Sequence, residues 1–132
     1  MKKRLVFVFL TLLLFTCSHG KTQHFTSIDD STDAAQVFII RNNNLFGWGF
    51  SLKVIFNDVV VARLHAGEHI SFYVEPGLHT VGTSKSSMTV PCRAGEKYYF
   101  LISADYTQFG FEIDRISTQK GENWIAKTKP LK

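Results

Sequence analysis

The residues of this chain whose types and spacing come closest to chemistry are in "HAGEH" (65–69): two histidines four positions apart with a glutamate beside the second. The spacing H-x-x-E-H serves hydrolytic zinc when it lies on a helix, where both imidazoles project from one face and the glutamate is aimed at a metal-bound water. The neighbours here do not spell a helix. Valines fill 59–61, Gly67 occupies the centre of the motif, and the alternating run 70–74 follows, so the motif reads as the turn of a β-hairpin. A hairpin would hold His65 and His69 across from one another at about 5 Å, with His79 as the third nitrogen of a metal-binding, hydrolase-like alternative. Unpaired turn histidines are more commonly just solvated, and no cofactor is expected.

Other reactive side chains point away from catalysis. Cys92 shares a strand face with Met88 and Val90, and buried cysteines mostly behave as small inert hydrophobes. No serine sits in a G-x-S-x-G turn. Asp105, Glu112 and Asp114 are the available acids of the last strands, and alternation puts Glu112 and Asp114 on an outward, solvated face. The expectation is a protein that is not an enzyme.

A different kind of chemistry is offered by "NNNLFGWGF" (42–50), a loop opening on three asparagines and then carrying four large apolar residues. Burying Leu45, Phe46, Trp48 and Phe50 together would contribute roughly 6 to 12 kcal/mol, which rivals the whole net stability of a small domain, about 5 to 15 kcal/mol. Phe50 is therefore assigned to the inward face of the next strand, and Leu45 and Phe46 to the open end of the core. Trp48, between Gly47 and Gly49, is the residue expected to stay partly exposed. Phe46 and Trp48 form the candidate binding loop for an envelope protein, a peptide or a glycan; a structural plug is the other reading. Trp124 is expected to pin the C-terminal segment to the body.

The elements that must position these residues are short strands. "AQVFIIR" is an apolar β-branched run, and "FSLKVIF" alternates with Phe50, Leu52, Val54 and Phe56 on one face. Asn57 and Asp58 suit a tight turn because both tolerate positive φ. "VVVARL", "HISFYV", "LHTV" and "SMTVPC" follow. Pro76 and Gly77 fit the centre of a type II turn, and Pro91 suggests an edge or a strand end. "KYYFLISAD" (97–105) reads as buried on both sides, and "FGFEIDRI" alternates with Phe109, Phe111 and Ile113 inward. "GENWIAKTK" is the helix candidate, one or two turns closed by Pro130. Seven or eight short strands with regular turn signals predict an all-β fold, an antiparallel β-sandwich with a short C-terminal helix.

The ends set an address. Lys2, Lys3 and Arg4 precede an apolar run over 5–15, the layout of a secretory signal peptide and too short for a transmembrane helix, which needs about 20 apolar residues. "LFTC" (14–17) resembles the lipobox of bacterial lipoproteins, which implies a lipid-modified Cys17; Ser18 and Gly20 instead suit an ordinary cut after Gly20. The expected organisation is a signal peptide over 1–20, a flexible polar linker over 21–33 and one domain over 34–132. With Cys17 lipidated or removed, Cys92 has no intramolecular partner, so the core must suffice without a disulfide. Three of the fifteen Lys and Arg lie in the leader, leaving twelve against eleven acids. That near-neutral balance, with a basic tail at Lys120, Lys127, Lys129 and Lys132, argues against a nucleic-acid partner.

Taken in order, "AQVFIIR", a loop with Phe-Gly, "LKVIFNDVVVARLHAGEHISFYVEPGLHTV" and "AGEKYYFLI" resemble a family of small bacterial envelope domains of unknown function, distantly similar to the PEGA-type β-sandwich module. Such domains often have Asp-Gly at the first hairpin turn, where this chain has Asn57 and Asp58. The resemblance implies export to the periplasm or cell surface, often with a lipid anchor, and a β-sandwich; it implies no catalytic residue. The expected function is an exported, non-enzymatic binding or structural module of the cell envelope. A scaffold acting through its tether and basic tail is the other alternative.

Overall fold

A computed structural model describes residues 33–44 and 49–131. The expected leader with Cys17, nearly all of the expected linker, and the loop residues Phe46 and Trp48 lie outside the described residues. The strands are β1 (Ala35–Arg41), β2 (Leu52–Phe56), β3 (Val59–Leu64), β4 (Glu68–Val74), β5 (Gly77–Gly82), β6 (Ser87–Cys92), β7 (Lys97–Asp105), β8 (Gly110–Ile116) and the two-residue β9 (Lys129–Pro130), with helix α1 (Thr118–Lys127) before the last. They form two layers, a five-stranded sheet in the order β8-β7-β1-β4-β9 and a four-stranded sheet in the order β3-β2-β5-β6.

The predicted sandwich is present, but its pairing is mixed rather than wholly antiparallel. β1 lies parallel to β7, and β4 parallel to β9. The cause is the path of the chain. It leaves the first sheet after β1, makes the β2–β3 hairpin in the second, returns for β4, and crosses again for β5 and β6, so β7 re-enters beside β1 in the same direction. Two expected turns are instead crossings between sheets. "HAGEH" joins β3 of one sheet to β4 of the other, and 75–77 joins β4 back to β5. Gly77 accordingly has φ +137°, not the value near +80° of a type II turn.

Alternation fills the space between the sheets. Val37, Ile39, Tyr98, Phe100, Ile102 and Ile113 come from one sheet, and Val54, Phe56, Leu64, Val81, Val90 and Cys92 from the other. β1 and β7 are also covered on their second face: Ile40 and Tyr99 are buried there, the Phe38 and Tyr99 rings stack at 4.6 Å, and α1 packs over them. Strands buried on both faces read as continuous apolar runs, which is the pattern of "AQVFIIR" and "KYYFLISAD".

Helix α1 starts earlier than "GENWIAKTK" suggests. Ser117 caps it, with Lys120 N donating to its Oγ at 3.4 Å. Gly121 sits in the helix interior, where glycine costs about 1 kcal/mol relative to alanine. A Cβ there would collide with the Tyr99 ring, so the glycine is what lets the helix lie flat on β7. The Asn57–Asp58 turn has φ +48° and +65°, the two positive values that a type I′ hairpin needs.

Candidate functional site

The described ends of the β1–β2 connection (42–44 and 49–51), the 65–67 crossing, the 83–86 turn and the 106–109 turn all gather at one end of the sandwich, because β1 and β7 run toward it together. Arg41 organises this end. It closes the apolar run of β1 and is 1% exposed, yet its Nη1 donates to the carbonyls of Phe50 and Leu64, each at 2.7 Å. Its guanidinium lies 5.4 Å from the Phe50 ring centre and 5.0 Å from that of Phe111, and those two rings meet edge to face at 5.8 Å. Burial pushes its pKa down and the field of Glu68 opposes that shift; an arginine nonetheless stays charged. The ion is thus used to tie the returning loop and the end of β3 to β1 beneath two aromatic rings.

Above that platform is a cleft of about 220 Å³ lined by Phe50, Leu52, Thr83, Lys85, Phe109 and Phe111, among others. A second, of about 350 Å³, shares Lys85, Gly110 and Phe111 with it and adds the polar Ser86, Asp105, Gln108 and Glu112. Both walls are braced. Thr83 N donates to Ser86 O at 2.7 Å, while the Thr83 hydroxyl accepts from Lys85 N and Ser86 N, both at 3.3 Å. Across the cleft, Asp105 Oδ1 accepts from the Thr107 amide at 2.9 Å and from its hydroxyl at 2.6 Å, which holds the carboxyl below its ordinary pKa.

Phe109 departs furthest from the sequence reading. It was expected on the inward face with Phe111 and Ile113, but it precedes β8, has φ +50° and is 78% exposed. Phe50 also departs: it lies before β2 and is 49% exposed, bordering the cleft rather than joining the core. Phe46 and Trp48, the predicted binding residues, lie outside the described residues, although Phe50, two positions past Trp48, is part of the cleft wall.

The three histidines proposed as ligands are not brought together. His65 is exposed, with Nδ1 3.4 Å from Glu68 Oε2. His69 is buried, and its Nδ1 lies 2.8 Å from Thr128 Oγ1. His79 belongs to the other sheet, stacked on Phe56 at 5.2 Å and hydrogen-bonded to Asn57 and to the Glu75 carbonyl. The expected hairpin fails because the flanking strands part into different sheets, and among the described residues no group of three His, Cys, Asp or Glu is placed to hold a metal ion. Cys92 is in the core, its thiol pushed up by burial. Trp124 is half-buried on α1, its carbonyl accepting from the Thr128 hydroxyl at 2.8 Å.

Comparison with family models, curated proteins and solved structures finds no match to this chain. What the loop end can do therefore follows from its own chemistry. It offers a braced, aromatic wall facing a polar one. Sequence reasoning placed interest in the neighbouring 42–50 loop but missed Arg41, Lys85 and Phe109. The available signal for Phe109 was its place in "YTQFG", an aromatic in a polar hairpin turn, where apolar rings have no packing duty.

Proposed function

We propose that this protein is an exported, non-enzymatic binding module of the bacterial cell envelope, and that it binds through the cleft between the 83–86 and 106–109 turns. The supporting observation is Phe109, a bulky residue held at φ +50° with its ring in solvent. Glycine or asparagine would make the same turn without strain and without an apolar ring in water. Strained, exposed aromatics are characteristic of contact surfaces. Phe50 beside it, held on Arg41, extends the same wall. Lys85, Asp105 and Glu112 line the cleft as charged groups that orient a ligand. Export rests on the leader over 1–20, and attachment through Cys17 on its lipobox-like "LFTC".

The test is amide chemical-shift mapping of the mature protein with fractionated envelope glycans and peptides. Resonances of 83–86 and 105–112 are expected to move, and those of Asn57 and Asp58 at the opposite end to stay. Movement confined to the opposite end, or none at all, would overturn the assignment. Intact mass of the mature chain separates the two processing routes: an acylated chain starting at Cys17, or an unmodified one starting at Lys21.

A further inference from the structure

We infer that the ligand of this cleft is a neutral saccharide, a short chain of pyranose rings seated against Phe109 and Phe50 with its hydroxyls facing Lys85, Asp105, Gln108 and Glu112; the assignment rests on the binding-module function proposed above and adds the ligand class. The two halves of the cleft differ in chemistry and are continuous. Phe50, Leu52, Phe109 and Phe111 make one half apolar, Ser86, Asp105, Gln108 and Glu112 make the other polar, and Lys85, Gly110 and Phe111 belong to both. A pyranose is divided in the same way. Its ring faces present C–H groups, and its rim presents hydroxyls that each donate and accept. A carboxylate, a side-chain amide and an ammonium group together satisfy both capacities of a hydroxyl, which a wall of one charge sign cannot do.

Charge narrows the class. One ammonium faces two carboxylates across the polar half, so phosphate-bearing ligands, which draw clusters of Lys and Arg, are disfavoured. The apolar half, about 220 Å³, is by itself smaller than an ordinary small-ligand site, and the polar half, about 350 Å³, is near the lower end of that range. Preorganisation fits a weakly adhesive ligand: Phe50 is fixed between Arg41 and Phe111, and both turns are tied by their own Thr83 and Asp105 hydrogen bonds. A rigid wall loses little conformational freedom on binding. The rival is a peptide, which would add to edge strand β8 by backbone pairing.

The mature protein should be titrated by calorimetry and amide shift mapping with the neutral sugars N,N′,N″-triacetylchitotriose and cellotriose, and in parallel with penta-alanine and a Lys-Phe-Lys tripeptide. At least one of the sugars is expected to move the resonances of 83–86 and 105–112. Phe109→Asn should weaken that binding about tenfold or more while the melting temperature holds or rises, and Glu112→Gln should weaken it several-fold. Peptide shifts at the cleft with no sugar response would overturn the saccharide and leave the binding module standing. No response to any probe would overturn both. Sugar binding that survives both substitutions would place the ligand elsewhere and overturn the assignment.

Discussion

His69 Nδ1 lies 2.8 Å from Thr128 Oγ1, and the Thr128 hydroxyl donates in turn to the Trp124 carbonyl at 2.8 Å. The imidazole therefore donates from Nδ1, and the chain of bonds joins β4 to the end of α1. Beside it, Lys129 N donates to Gly67 O and Leu131 N to His69 O, both at 2.8 Å. The "HAGEH" segment thus latches the C-terminal strand to the sheet.

That latch is sensitive to acid. Burial holds the His69 pKa below its ordinary 6.5, so the unfolded chain takes up this proton first as pH falls. The neutral imidazole's contribution is complete above about pH 6.5 and is lost from there down to the folded pKa. Urea unfolding at pH 7.5 and 5.5 should show lower stability at the acid value, with a smaller difference in His69→Gln. An equal difference in both proteins would count against His69 as the source.

Arg41→Met should destabilise strongly. It leaves the buried carbonyl of Leu64 without this donor, at about 1 to 3 kcal/mol, and the part-buried carbonyl of Phe50 at less. Arg41→Lys should fall between, because an ammonium keeps the charge but loses the planar stack under Phe50 and Phe111. Thermal melts of the three proteins would rank them.

Gly121→Ala is expected to have the opposite sign from an ordinary helix. Propensity favours alanine by about 1 kcal/mol, but the added methyl meets the Tyr99 ring, and overpacking costs roughly 1 to 3 kcal/mol. A lowered melting temperature is the expected result; a raised one would mean that α1 does not lie on β7 as described.

Phe109→Asn should stabilise the fold by about 1 kcal/mol, since asparagine accepts a left-handed backbone far better than phenylalanine. Equilibrium unfolding reads the change. A loss of stability would show that the Phe109 ring packs in solution and is not displayed.

Much of the fold was legible locally. Alternation marked Val54 and Phe56 as inward, the length and apolarity of "KYYFLISAD" marked a strand covered on both faces, and Asn57–Asp58 marked a turn with two positive φ values. These features depend on near neighbours in the chain. The site was less legible. Phe109 fits the period of β8 and falls outside it only because the turn backbone reverses there, and Arg41 at the end of an apolar strand resembles an exposed charge.

By itself, then, the sequence marked the inward positions inside the strands, such as Val54 and Phe56, and the Asn57–Asp58 reversal, because periodicity and turn chemistry are local, whereas Phe50 and Phe109, just outside their strands, escaped that periodicity. Tertiary structure alone decided which sheet each strand joins. Inward-facing residues satisfy either sheet equally, and the choice made "HAGEH" a crossing and separated its histidines from His79. It also decided that Arg41 is buried, because its carbonyl partners are supplied from 9 and 23 residues away, once β2 and β3 have folded over β1.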